Sequence, residues 1–213
     1  SRPRWTYHMR ARLAHPLCFF TGSEVFMLGR PNILVIAVDA LRRDHLGCYG
    51  YSFETSPNID RLAAEGTCFD SMFVNHFPTM PSFTTLYTGV DGIEHNIVRQ
   101  GIGPLLSQKI QVFPELLRAA GYTTAAVDSI VTLKHGLPGH YARGYDHYLG
   151  FRYDPGDRKQ SSFNTERALV LMEMIKREPF FLLVHYWDPH APYWPPDDVP
   201  SFGKEPTSFG TPT

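Results

Sequence analysis

No stretch of the sequence comes close to the roughly 18 consecutive apolar residues that a membrane-spanning helix requires. The most apolar early segment, Pro16 to Leu28, is interrupted by Thr21, Gly22, Ser23 and Glu24. It makes a poor signal peptide, and with no export signal visible a cytoplasmic location is the expectation. Cysteine is scarce: Cys18, Cys48 and Cys68 are the only three. They form no CxxC or Cys/His zinc pattern, and three thiols cannot all pair within one chain. Idle thiols and a reducing compartment are therefore expected. An excess of one charge is also missing, since 20 Lys and Arg face 21 Asp and Glu for a net charge of -1. That balance makes neither nucleic acid nor an anionic membrane surface an obligate partner. Any anion-binding site must be local, suited to a small-molecule anionic ligand, and the sequence carries no signature of an oligomeric state. What is present is 43% hydrophobic and 19% charged residues over 213 positions, enough for one sizeable domain with a real core.

Three regions are expected. Residues 1–26 read as an N-terminal extension outside the core, with Met27 the possible natural start. Residues 27–196 carry the domain, and residues 197–213 a loop-like tail rich in Pro, Gly, Ser and Thr. Within the domain, Asn32 to Asp39 is a short apolar run ending in an acid, which suits a strand buried on both faces. Thr55 to Gly66 predicts a helix with Ser56 as N-cap and Pro57 at its first position, and Thr67 to Asn75 a second strand. Pro81 to Thr88 and Val112 to Ala120 predict helices closed by Gly89 and Gly121, followed by a strand over Tyr122 to Val127. Ile130 to Gly150 predicts a long loop, of the kind that is uncommon unless functional. Phe163 to Arg177 predicts an amphipathic helix with a stripe of Leu169, Met172 and Ile175, and Phe180 to His185 a last strand. Alternation of strand and helix implies an α/β fold: a mixed, mostly parallel sheet between helices. In such sheets the site lies beyond the carboxyl ends of the strands, where Asp39, Asp128 and the segment His185 to His190 fall.

The residues alone leave alternatives open. A carboxylate at a buried strand end must find a partner. For Asp39 that is either a hard divalent cation or a turn amide or one of Arg42 and Arg43. Thr79 stands near a helix start, where free N–H groups and the positive dipole end favour an anion. It is either a nucleophile activated by a metal or an ordinary residue near an N-cap. Ser82 and Thr84 suit caps or packing. His185 and His190 flank an aromatic, proline-bearing turn and are candidates for acid catalysis or ester binding; the alternative is a structural role. Lys134 and His135 share the long loop and can reach an anionic substrate or simply be solvated.

The order and wording of these segments resemble the sulfatases of the alkaline phosphatase superfamily, together with related phosphate- and phosphonate-ester hydrolases. Asn32 to Gly50 resembles the family's opening strand and metal-binding acid. Ser56 to Gly66 resembles its "TPNIDRLAxEG" helix. Thr79-Met-Pro-Ser-Phe83 falls at "CxPSR", Leu86-Tyr-Thr-Gly89 at "LLTG", and His95 at a histidine shortly after. Ala119 to Ala125 matches "AGYxTA" and Pro189-His190-Ala191-Pro192-Tyr193 matches "PHxPY". The resemblance implies metal-dependent hydrolysis of a sulfate, phosphate or phosphonate ester. Asp39 and Thr79 would hold a divalent ion (Ca, Mn, Mg or Zn), Thr79 would be the nucleophile, and His190 would contact the ester.

Departures shape that expectation. Thr79 cannot become formylglycine, the modified residue that sulfatases use, and Phe83 replaces the arginine that supports it. Both point to direct attack by Thr79, as in the nucleotide pyrophosphatase/phosphodiesterases and lipoteichoic acid synthases of the superfamily. Ala40 stands where a second acid is common. Val127-Asp128-Ser129-Ile130 replaces "GKWHLG", leaving Asp128, Lys134 and His185 as the candidate substrate contacts. The later acid pair that completes the metal site in the family has no match here. The rival expectations are a degenerate, non-catalytic or truncated member that binds an anionic ester, and a transferase that passes the Thr-bound group to an alcohol.

Overall fold

In the computed structural model, residues 11–13, 30–101, 103–129, 139–150 and 160–190 are described. Six strands and five α-helices follow the chain: β1 Ala11–Leu13, β2 Ile33–Val38, α1 Pro57–Glu65, β3 Thr67–Phe69, α2 Thr79–Thr88, α3 Gly92–His95, α4 Phe113–Ala119, β4 Thr123–Asp128, β5 His147–Gly150, α5 Gln160–Ile175 and β6 Phe180–Tyr186. Four strands form one sheet in the order β2-β6-β4-β5, and each neighbouring pair is parallel. The antiparallel pair β1–β3 stands apart as a two-stranded sheet, with Ala11 opposite Phe69. The α/β architecture with helices on both faces is as the alternation of elements implied.

Side-chain parity along β6 divides the core in two. Phe181 and Leu183 turn towards α2 and α4 and pack with Met80, Tyr87, Val112 and Ala126. Phe180, Leu182 and Val184 turn the other way, onto Ala168, Leu171 and Ile175 of α5. β6 is buried on both faces, which is why its sequence is a continuous apolar run. Each such side chain is worth about 1.5–3 kcal/mol relative to exposure. Among the described residues no helix is long and apolar enough to cross a membrane.

Five expectations are corrected. β2 is a strand as expected but is not buried on both faces: Leu34 and Ile36 are 47% and 54% exposed, and among the described residues it lies at the edge of the sheet with β6 as its one neighbour. The second strand stops at Phe69, and Met72, Phe73 and Val74 beyond it are exposed; an apolar run without a neighbouring strand has no ladder to join. The expected loop over 130–150 contains a 3-10 turn, Gly139–Ala142, and the strand β5, which extends the sheet beside β4 with Ala125 opposite His147. Its sequence, His-Tyr-Leu-Gly, is too short to display a period. On α5 the buried positions are Asn164, Ala168, Leu171 and Ile175, while Leu169 is exposed. Helical geometry favours this 4-3-4 spacing over the one inferred from Leu169. Ser56 sits at the N-cap of α1 but gives no cap bond; its hydroxyl donates to Asp60 Oδ1 at 3.0 Å and accepts from the Gly47 amide at 3.0 Å. Of the proposed extension, Ala11–Leu13 pairs with β3. Met27, Cys18 and the tail lie outside the described residues.

Candidate active site

β2 and β6 run parallel with Val38 beside Tyr186, so the residues that follow each strand emerge side by side. The Asp39 amide donates to the Tyr186 carbonyl at 2.9 Å, carrying the ladder one residue past the strand. The chain then breaks sharply, because Ala40 has a φ of 55°, the left-handed region that a residue with a Cβ seldom adopts. The break turns the chain away and leaves the Asp39 carboxylate at the strand end. Arg42 is directed to Asp44, with Nε to Oδ1 at 2.9 Å, and Arg43 to the Asp70 carbonyl and the Tyr49 ring.

The partner that Asp39 finds is Thr79. The Thr79 hydroxyl donates to Asp39 Oδ2 at 3.1 Å, across 40 positions of sequence. Thr79 is the first residue of α2, after a cis Phe77–Pro78 bond, so the helix begins two residues earlier than expected. That shift changes the electrostatics of its N-terminus. Pro81 has no N–H to offer, and the Met80 amide is taken by Gln100 Oε1 at 3.0 Å. The Ser82 amide bonds Pro78 O at 3.2 Å. Among the described residues, the Thr79 amide is the first-turn donor left for an anion.

Beneath Thr79 the helix is pinned through its own carbonyl. Tyr141 and Thr84 both donate to Met80 O, at 2.9 and 2.8 Å. Thr84 is fully buried and serves packing, as the sequence suggested. His140 is buried beside it, its Nε2 3.4 Å from the Thr84 hydroxyl. Burial, then Arg143, pull its pKa down to about 4, so it is neutral near pH 7. His95 is likewise internal: Nε2 lies 3.0 Å from the Thr85 hydroxyl, and Nδ1 accepts from the Ile97 amide at 3.0 Å. Both of its nitrogens are committed to holding α2 and α3 together.

Asp128 and His185 meet each other in the interior. Asp128 Oδ1 is 3.0 Å from His185 Nδ1, and Tyr148 donates to Oδ2 at 2.5 Å. Burial, then the Asp128 charge, push the Tyr148 pKa up and keep it a donor. The two residues are 2% and 0% exposed, and His185 Nε2 has no hydrogen-bond partner among the described residues. Parallel register places His185 beside Ala37, on the α2 face of the sheet, where its ring lies 4.9 Å from that of Phe83. His190 sits on the turn after β6, stacked on Trp187 at 4.1 Å with its amide on Trp187 O. Lys134 and His135 lie outside the described residues.

Sequence reasoning did not find Gln100, Ser129, Asn164 or Tyr148. Ser129 and Asn164 both donate to the His185 carbonyl, at 2.6 and 3.1 Å. The available signal was the position of Asn164 four residues before Ala168, on the same helix face as the buried Leu171 and Ile175. Gln100 lies in irregular chain and carried none. A 190 Å³ apolar cavity between α2 and α4, lined by Val35, Leu86, Phe113, Phe181 and their neighbours, includes none of the site residues.

Comparison with known proteins identifies the family and the fold. The Sulfatase family model matches residues 31–209. The chain is 28% identical over 179 residues to the N-acetylglucosamine-6-O-sulfatase of Bacteroides thetaiotaomicron, covering 78% of this chain and 32% of that one. It is 30% identical over 145 residues to arylsulfatase G of Rattus norvegicus, covering 66% and 27% respectively. The chain thus spans about a third of the length of the curated relatives it matches. In structure it is similar to the phosphonate monoester hydrolase of Agrobacterium radiobacter, with a TM-score of 0.60 over 79% of this chain and 43% of the other; at 19% identity that likeness speaks to the fold.

Proposed function

The chain belongs to the sulfatase family, and from that membership we propose that it carries the nucleophile-bearing part of a site that hydrolyses a sulfate, phosphate or phosphonate ester, with Thr79 attacking directly. The observation that carries this reading is the 3.1 Å hydrogen bond from the Thr79 hydroxyl to the Asp39 carboxylate at the carboxyl end of the sheet. Two oxygen donors at that spacing, one of them anionic, suit a hard divalent cation. No group of three or more His, Cys, Asp or Glu completes such a site among the described residues, so the pair supplies part of a coordination shell. When bound, the cation would lower the hydroxyl pKa and offset the charge of the ester.

The remaining chemistry belongs to the chain. Asp39 Oδ2 holds the Thr79 proton, so the opposite lobe of Oγ1 is directed away from the strand end. As Oγ1 bonds to phosphorus or sulfur, its proton passes to the carboxylate. The bond to the ester oxygen breaks, and the leaving alcohol takes the electron pair and a proton supplied by His190. Water then cleaves the Thr79 ester and restores the hydroxyl. The Thr79 amide lies in the first turn of α2, where it can donate to a non-bridging oxygen.

Two observations favour a second reading, binding of an anionic ester without turnover. The first turn of α2 has a single amide to offer, and Phe83 is packed on His185 in place of a cation. The deciding experiment supplies the protein with Mg, Ca, Mn or Zn and chromogenic sulfate and phosphate esters. Hydrolysis that falls at least 10³-fold in Thr79→Ala, with a sulfo or phosphoryl adduct on the Thr79 peptide in acid-quenched wild type, supports the nucleophile. Turnover retained by Thr79→Ala rejects it. Tight binding with no turnover by either protein selects the second reading. Transfer of the group to added alcohol would mark a transferase.

A further inference from the structure

Cys48 and Cys68 are far apart in sequence, yet the fold brings them together at the edge of the small sheet. Cys48 lies in the 3-10 turn Gly47–Tyr49 and Cys68 in the middle of β3. Two contacts hold the turn against the strand and its following residue, and a third ties it to α1. The Tyr49 hydroxyl donates to the Phe69 carbonyl at 2.9 Å. Arg43 reaches the Asp70 carbonyl at 2.6 Å and lies over the Tyr49 ring at 4.6 Å. The Cys48 amide donates to Asp60 Oδ1 of α1 at 2.7 Å. A side chain at Gly47 would collide with that carboxylate, since its Cβ would stand 2.3 Å from Asp60 Oδ2; the glycine lets the turn seat itself this closely.

In this seat the Cys68 side chain interacts with both Cys48 and Tyr49. Burial, then the neighbouring Cys68, push the Cys48 thiol up. The side-chain interaction with Cys68, which favours the protonated phenol, then burial, push Tyr49 up to about 12. Both thiols are free and half-buried, so a small molecule can reach them.

We infer that Cys48 and Cys68 form a reversible disulfide that staples α1 into a closed loop and ties the segment following Asp39 to the segment leading to Thr79. With a small-molecule disulfide such as oxidised glutathione as the oxidant, the exchange balances. One cysteine thiolate attacks the oxidant, breaking its S–S bond and releasing one thiol. The second cysteine thiolate then attacks the mixed disulfide, forming the Cys48–Cys68 bond and releasing the second thiol. Two protons and two electrons leave the protein and reduce the oxidant. This inference stands apart from the ester chemistry.

The test uses the full native chain, incubated with oxidised glutathione, then alkylated and mapped by peptide mass spectrometry without reduction. The expected result is a linked peptide pair holding Cys48 and Cys68, Cys18 left alkylated, and a rise in Tm on the order of 5–15 °C that dithiothreitol reverses. Cys48→Ser should instead accumulate a glutathione adduct on Cys68. The inference is overturned if all three cysteines remain alkylated, if the links involve Cys18, or if glutathione stays bound to Cys48 or Cys68 in the unsubstituted chain. The peptide map of that chain decides the matter even if a serine variant fails to fold.

Discussion

Removing the Asp128 carboxylate should cost stability on a scale that can be worked out from its contacts with His185 and Tyr148. In Asp128→Ala, His185 Nδ1 and the Tyr148 hydroxyl both lose their acceptor. The pair is 2% and 0% exposed, so no bulk water replaces it. Each orphaned donor costs about 1–3 kcal/mol, and breaking a buried pair by deleting one partner typically costs about 3–5 kcal/mol. The expected loss is therefore about 4 kcal/mol. Asp128→Asn keeps one acceptor in place and should lose about 1–2 kcal/mol. Tyr148→Phe removes one charge-assisted bond and should lose about 1.5–3 kcal/mol. Urea unfolding followed by tryptophan fluorescence reads all three, with the shift in midpoint multiplied by a common m-value. Against a total of about 5–15 kcal/mol, the alanine variant should be visibly fragile. A loss below about 1 kcal/mol would mean that the buried pair holds nothing together, and the reasoning would fail.

Three further outcomes are expected. Ala40→Gly should be neutral or stabilising by up to about 1 kcal/mol, because relief of the left-handed φ of 55° outweighs the added chain entropy, whereas Ala40→Val should lose roughly 1–3 kcal/mol; thermal melts distinguish them. His140 has a folded pKa of about 4 against an ordinary 6.5, so the unfolded chain takes the proton first, and stability should be full above pH 6.5 and fall by roughly 2 kcal/mol towards pH 4 after allowance for screening. His140→Asn should flatten that slope in urea titrations, and an unchanged slope would reject the assignment. Arg143→Ala should lose about 2–3 kcal/mol, since the guanidinium bonds Glu115 through Nε and Nη2 at 3.0 and 2.9 Å and reaches Ile110 O at 3.0 Å. Arg143→Lys should recover less than half of it, because a single ammonium cannot reproduce the fork.

The fold was legible where burial on both faces writes itself as an apolar run, as in β6, and where helices carry their own punctuation, as at Pro57 and Gly89; the similar run of β2 marked a strand but not its exposure on one face. It was illegible where an element is defined by its neighbours. β5 is a strand because β4 lies beside it, and the apolar residues after Phe69 are not one because nothing does. Asp39 and Thr79 were each ambiguous alone, since an acid at a strand end and a hydroxyl near a helix start have ordinary uses. Their order, compared with a family pattern, singled them out, and the register of β2 against β6 is what brings Asp39 beside the turn of His190. Asp128 and His185 were legible as polar residues at strand ends, but the sequence could not say that both side chains would point inward and pair. The offset of α2 by two residues, which removes amides from the anion site, was hidden because Pro81 looked like a helix start when the chain had already begun to coil.

The position of β2 in the sheet also has a consequence for biosynthesis. Ile33–Val38 leaves the ribosome well before its neighbour in the sheet, β6, Phe180–Tyr186. At about 5–20 residues per second, some 140 intervening residues take roughly 7–30 s to emerge. Through that interval an unpaired run of Ile, Leu, Val, Ile, Ala and Val is the kind of segment that chaperones bind and that aggregates in their absence. The strand that carries Asp39 is thus made long before the strand it pairs with, and the site can form only after nearly the whole described chain has been made.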